Sequence, residues 1–189
     1  MAGSAQQSLA LLEQRYREFA VEAPAPASQQ MVWIGTAVGI AGVPLLVGEG
    51  ELEEVIETPP VTAIPGTKPW VLGVGSHMGG LLPIIDGDVF FRKRGYGGRK
   101  RDFCMVIRRP GFYFGVTLSA VERDMKFPVE SRTMDHPVDA DFAEFTLGGF
   151  RDGERFLAVL DIEKLVADSD LCNASATVLD ASEEKEDEE

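Results

Sequence analysis

Two histidines, His77 and His136, and two cysteines, Cys104 and Cys172, are the side chains of this sequence with the widest chemical reach. A nucleophilic triad needs a histidine beside a serine or cysteine. No Gly-x-Ser-x-Gly elbow occurs. Cys104 sits inside Phe103-Cys-Met-Val-Ile107, a strand pattern in which cysteine packs as a small hydrophobe. The stretch Asp135-His136-Pro-Val-Asp139-Ala-Asp141 carries ligands that suit a hard or borderline cation. It lacks a second cluster to complete a shell and reads as a solvated acidic loop. Metal held by Asp135, His136 and Asp139 is the one enzymatic reading left. Two cysteines make neither a disulfide framework nor a four-ligand zinc site. The expectation is a protein with no catalytic, cofactor-binding or metal residues.

Two further stretches invite a ligand and do not hold one. Gly73-Val-Gly75-Ser-His-Met-Gly79-Gly80 resembles a phosphate loop, but Met78 stands where the dinucleotide fingerprint needs glycine, and no Lys-Ser/Thr follows. Pro83 follows too soon for a helix whose N-terminus would hold a phosphate. The glycines instead suit a tight hairpin. Arg92-Lys-Arg-Gly-Tyr-Gly-Gly-Arg-Lys-Arg101 packs six basic residues into ten, and reads as a hairpin loop between two strands able to meet an acidic patch on a protein.

The elements that must position these residues belong to a chain of 189 residues with 44% hydrophobic and 26% charged side chains, an ordinary globular balance. The net charge of −13 repels phosphate backbones and anionic membranes, so no nucleic acid and no direct membrane insertion are expected. The ending Ser182-Glu-Glu-Lys-Glu-Asp-Glu-Glu189 reads as a solvated tail. No apolar run of about 18 residues marks a membrane span, and cysteine usage fits a reducing, cytoplasmic setting.

Residues 8–20 place Leu9, Leu12, Tyr16 and Phe19 on one helical stripe, with Ser8 as N-cap. The Ala/Pro stretch 23–30 follows as an extended linker. The organisation expected is a helix over 1–22, a linker over 23–30, a body over 31–170 and an acidic tail over 171–189. From Met31, short apolar runs spaced by turn residues predict strands at 32–40, 43–47, 52–57, 70–75, 80–85, 87–91, 103–109, 112–118 and 155–161, with a short helix at 163–168. Pro44 suits an edge or a strand start. No βαβ alternation and no internal repeat is evident by eye. The class is mostly β, in closed antiparallel sheets.

Against this background, Val61-Thr-Ala-Ile-Pro-Gly-Thr-Lys-Pro-Trp-Val-Leu-Gly-Val-Gly-Ser-His-Met-Gly-Gly-Leu-Leu-Pro-Ile-Ile-Asp86 resembles the central signature of the CheW family of chemotaxis coupling proteins. Leu52-Glu-Glu-Val-Ile56 resembles the family's Val-x-Glu-Ile/Val element. Phe112-Tyr-Phe-Gly-Val-Thr-Leu-Ser-Ala-Val121 and Phe156-Leu-Ala-Val-Leu-Asp-Ile-Glu-Lys-Leu165 resemble its later strands. Within the family, the Ile64-Pro-Gly-Thr-Lys-x-Trp-Val stretch, the N-terminal extension and Gly97-Gly-Arg-Lys-Arg look most like coupling proteins of type IV pilus chemosensory systems.

The resemblance implies two five-stranded SH3-like barrels sharing a hydrophobic core, with short flanking helices. It implies a non-enzymatic adaptor, without cofactor, that joins the cytoplasmic tip of methyl-accepting chemoreceptors to the regulatory domain of a CheA-like histidine kinase. Such an adaptor is cytoplasmic and recruited to membrane-associated arrays. Carried over by position, Leu52, Glu54 and Val55 fall on a barrel edge, Met78, Gly79, Pro83 and Ile85 beside the groove between barrels, and Asp86 at a strand end. The family's arginine in Leu-Arg-Gly is Met78 here, and its leucine is His77. That exchange deprives Glu54 of its expected partner and raises the alternative of a diverged paralogue that modulates array assembly without coupling receptor to kinase.

Overall fold

A computed structural model of the chain describes residues 9–11, 13–15, 31–93, 101–134 and 138–175. The chain divides into two compact units, Met1–Gln30 and Met31–Glu189. In the first, residues 9–11 and 13–15 are helical; Leu12, Tyr16 and Phe19 of the expected stripe lie outside the described residues.

The second unit is built from short strands: β1 (Val32–Ile40), β2 (Val43–Gly48), β3 (Glu54–Glu57), β4 (Val71–His77) and β5 (Gly80–Ile85). A short helix α1 (Gly87–Arg92) precedes β6 (Phe103–Arg109), β7 (Phe112–Leu118) and β8 (Ala120–Pro128). After two 3₁₀ turns come β9 (Thr146–Asp152), β10 (Arg155–Leu160), α2 (Ile162–Ala167) and α3 (Ser169–Cys172).

They make two five-stranded sheets, ordered β8-β1-β2-β10-β9 and β3-β6-β7-β5-β4. The first takes strands from both ends of the described body and is called the terminal barrel here; the second is the central barrel. Each sheet is closed by one extra bridge, Thr133 to Gly149 in the terminal barrel and Thr62 to Val74 in the central one.

The two orders are the same order. β1-β2 corresponds to β6-β7, β8 to β3, and the β9-β10 hairpin to β4-β5. In each barrel one pair is parallel, β2 with β10 and β5 with β7. Residues 146–161 follow 71–86 position for position. Gly148 answers Gly73, both with positive φ and both placed so that a Cβ would strike the carbonyl oxygen of the bridging threonine, Thr133 or Thr62. Asp161 answers Asp86. The internal repeat that is not evident by eye is therefore present in the topology. The chain hides it because each barrel combines the first two strands of one repeat with the last three of the other.

Three apolar clusters follow from the period-2 alternation of side chains along each strand. Trp33, Leu46, Phe127, Phe150 and Leu157 fill the terminal barrel. Leu82, Ile84, Cys104 and Val106 fill the central one. Ile40, Leu45, Met105, Ile107, Phe114, Leu118 and Leu160 pack between the barrels, as the shared core requires. Burial pushes the Cys104 thiol up to about 12, so it stays a protonated packing group.

Three elements differ from the sequence reading. Residues 87–91 are helix, because the Asp86 carboxylate accepts hydrogen bonds from the Asp88 and Val89 amides and starts a turn. β8 escaped because Glu-Arg-Asp-Met-Lys dilutes its alternation: it is an edge strand with mostly exposed residues. β9 escaped because two glycines and two charges leave it few apolar residues. Pro44 stands near the start of β2, ahead of Leu45 and Leu46, the residues that pair with β10. The packed chain runs beyond 170, through buried Leu171 to Ser175, which bridges Thr67.

Candidate functional site

The β4-β5 hairpin turns on two residues, Met78 and Gly79, both with positive φ (49° and 78°). That is the type I′ signature, which matches the twist of the flanking strands. Methionine in this conformation costs about 1–2 kcal/mol relative to the right-handed basin. On β5, Leu82 and Ile84 point into the central barrel, so Leu81 and Pro83 must point out. Met78 is 81% exposed and Leu81 73%. Two large apolar side chains, three residues apart, are thus exposed on one hairpin.

The hairpin is held by a polar clasp. The Nε2 atom of His77 lies 2.9 Å from Oε1 of Glu54 at the start of edge strand β3. Its Nδ1 lies 2.5 Å from the Tyr113 hydroxyl on β7. Arg108 of β6 places its guanidinium 4.1 Å from the Tyr113 ring centroid, in cation–π geometry, and pairs with Glu53 at 2.5 Å. The His77 side chain is 9% exposed and Glu54 38%. Glu54 is not orphaned by the arginine-to-methionine exchange, as the sequence reading expected, since the residue before Met78 takes its carboxylate. A basic side chain one position upstream of the family arginine was the signal.

The remaining candidates separate by burial. Leu52 and Val55 are half-buried against the core between barrels. Arg123 of β8 donates to the Val55 carbonyl at 3.1 Å, tying the two edge strands together. Pro83 is exposed and, with Trp70, Ile85, Phe112 and Leu171, lines a cleft of about 250 Å³. Gly79 supplies the turn, with open space around it. Two of the candidates are buried. Ile85 is 6% exposed and belongs to the shared core, and Asp86 is 1% exposed. Asp86 caps α1 and pairs with Arg101, while burial still holds its carboxyl above the usual range. Both therefore serve the fold, and Ile85 also meets the cleft beside Pro83.

The acidic loop and the basic run also find work in the fold. Arg92 makes a two-pronged pair with Asp139, 2.8 Å on each arm, and reaches Asp141 at 2.7 Å. Its guanidinium also lies 5.5 Å from the Phe142 ring centroid. Arg92 is thus the last residue of α1, not part of a hairpin loop, and residues 94–100 lie outside the described residues. Asp135 and His136 lie outside them too. Among the described residues no group of three or more His, Cys, Asp or Glu is placed to hold a metal ion.

The CheW-like domain model matches residues 38–170. Protein PilI of Pseudomonas aeruginosa is 30% identical over 145 residues, spanning 76% of this chain and 82% of its own length. The crystal structure of the scaffolding protein TtCheW from Thermoanaerobacter tengcongensis aligns with a TM-score of 0.59 at 18% identity. That alignment covers 69% of this chain and 89% of the TtCheW chain, a likeness of fold.

Proposed function

The chain belongs to the CheW-like family, and on that premise we propose that it is a non-enzymatic adaptor of a chemosensory pathway controlling type IV pili and twitching motility. It binds the regulatory domain of a CheA-like histidine kinase and the cytoplasmic tip of a methyl-accepting chemoreceptor. Its similarity to PilI supports the choice of pathway. The observation that carries the adaptor role is the exposure of Met78 and Leu81 on one hairpin, clasped through His77 to Glu54 of the edge strand that also bears Val55 and follows Leu52. Exposed apolar anchors on a rigid scaffold are what a small docking interface needs, and no reactive group is required.

No helix among the described residues is long and apolar enough to cross a membrane. A cytoplasmic adaptor reaches the membrane only through the receptor it binds. The alternative, a diverged paralogue that modulates array assembly without coupling, is favoured by one observation: the tip presents Met78 where the family presents a cation. Co-sedimentation separates the two. Vesicles carrying the receptor's cytoplasmic fragment, mixed with the cognate pilus-system kinase, are expected to carry kinase down only when this protein is added. Adaptor that sediments without kinase supports the paralogue reading instead.

A further inference from the structure

The two barrels fasten the same hairpin with different chemistry. Registers of the edge strands place Glu122 opposite Ala37 in the terminal barrel and Glu54 opposite Val106 in the central one, which are corresponding positions. Glu122 reaches Arg155 at the mouth of the β9-β10 hairpin at 3.4 Å, and Arg155 pairs as well with Asp152 across the turn. Glu54 reaches His77, which stands where Asp152 stands in the other barrel. Pro44 occupies the place of Tyr113, so only the central clasp has a phenol as its third arm.

A guanidinium keeps its charge at every physiological pH, whereas imidazole exchanges a proton between about pH 5 and 8. The groups facing the His77 ring are Glu54 from β3 and Tyr113 from β7. Behind them stand Arg108 from β6, over the tyrosine ring, and its partner Glu53. The neighbouring hairpin residues Ser76, Met78, Gly79, Gly80 and Leu81 bring no charge. In the neutral ring, the tyrosine O–H donates to Nδ1 and Nε2–H donates to Glu54. In the protonated ring, Nδ1–H donates to the tyrosine oxygen and Nε2–H still donates to Glu54. Proton uptake therefore breaks no hydrogen bond and makes the bond to Glu54 charge-assisted at both ends.

We infer that His77 is the positioning residue of the β4-β5 docking hairpin, clasping it through Glu54 and Tyr113 so that protonation tightens the tip and raises affinity for the kinase. This deepens the docking role proposed above and rests on it. The clasp itself does not, because it is readable in the free protein.

The test uses the full chain at pH 6 and pH 8, with two readouts. One is hydrogen-exchange protection of amides 76–81, corrected for intrinsic exchange. The other is calorimetric affinity for the regulatory domain of the cognate pilus-system kinase. Protection and affinity are each expected to be about three- to fivefold higher at pH 6, the range of an ion pair with one partner in part exposed to solvent. In Glu54→Gln and His77→Asn the difference disappears, and amides 151–156 of the arginine-clasped hairpin stay flat in every variant. Equal protection at both pH values, or a response that survives Glu54→Gln, overturns the clasp. A graded hairpin with flat kinase affinity overturns its part in binding. If the kinase binds at neither pH, the docking reading falls, while the exchange data still decide the clasp.

Discussion

Asp86 and Asp161 hold the same place in the two barrels. Each ends the strand that pairs in parallel within its sheet, and each caps the helix that follows, Asp86 through the Asp88 and Val89 amides and Asp161 through the Lys164 amide at 3.0 Å. Their surroundings differ. Asp161 is half-buried, whereas Asp86 is enclosed and also holds Arg101.

The substitutions should therefore cost unequal amounts. Asp161→Ala is expected to lose about 1 kcal/mol, the usual value of an N-cap. Asp86→Ala loses about 2–3 kcal/mol, since it also removes the partner of Arg101. Urea unfolding at neutral pH measures both. Equal losses would mean that the Arg101 pair adds nothing.

The paired glycines give a second contrast. At Gly73 (φ 136°) a Cβ would run into the Thr62 carbonyl that closes the central barrel, whereas Gly79 (φ 78°) has open space around it. Gly73→Ala is expected to cost at least about 3 kcal/mol or to prevent folding. Gly79→Ala costs about 1–2 kcal/mol, from backbone conformation alone. Thermal melts of the two variants check the order, which a tolerated Gly73→Ala would reverse.

Glu51 supplies a pH dependence. One of its carboxylate oxygens is buried without a hydrogen-bond partner. Burial raises its pKa above the ordinary 4.5; Arg109 opposes the shift, and Asp161 and Glu163 add to it. A carboxyl raised by folding contributes stability that is complete below its unfolded pKa and is lost as pH climbs through the folded value. Glu51→Gln removes that loss. The variant is expected to gain on the wild type between pH 4 and pH 7, by less than about 1 kcal/mol. A constant or shrinking gap in denaturant unfolding would contradict this.

The Arg92 clamp is a matter of shape as well as charge. Arg92→Lys keeps the cation but cannot make the two-pronged bond to Asp139 while reaching Asp141. About 1–3 kcal/mol should be lost, as for a charged hydrogen-bond pair. A melting temperature equal to that of the wild type would show that a point charge suffices.

What could be read from the sequence, and what could not, divides along physical lines. Strands with two buried neighbours, such as Phe103–Arg109 and Phe112–Leu118, announce themselves through apolar runs. Edge strand β8 is largely solvated, so charges interrupt its pattern, whereas edge strand β3 falls within the predicted strand at 52–57. Val89, Phe90 and Phe91 look like a strand because they are apolar in sequence; only the cap at Asp86 makes them helix. At the candidate site, the hairpin tip was legible from glycine chemistry and family likeness. Of the Glu54–His77–Tyr113 clasp the sequence offered only the basic residue before Met78, because the clasp joins three strands whose contact depends on barrel closure through Thr62 and Val74.

Calorimetric titration of the full chain against the regulatory domain of the cognate pilus-system histidine kinase tests the adaptor role most directly. It needs one companion, the double variant Met78→Ser and Leu81→Ser, which removes exposed side chains and should leave stability within about 0.5 kcal/mol of the wild type. The account predicts saturable binding with a Kd of about 1 μM or tighter, weakened at least about tenfold in the double variant, the loss expected from truncating interface anchors. A wild-type protein that is folded and shows no heat of binding would contradict it.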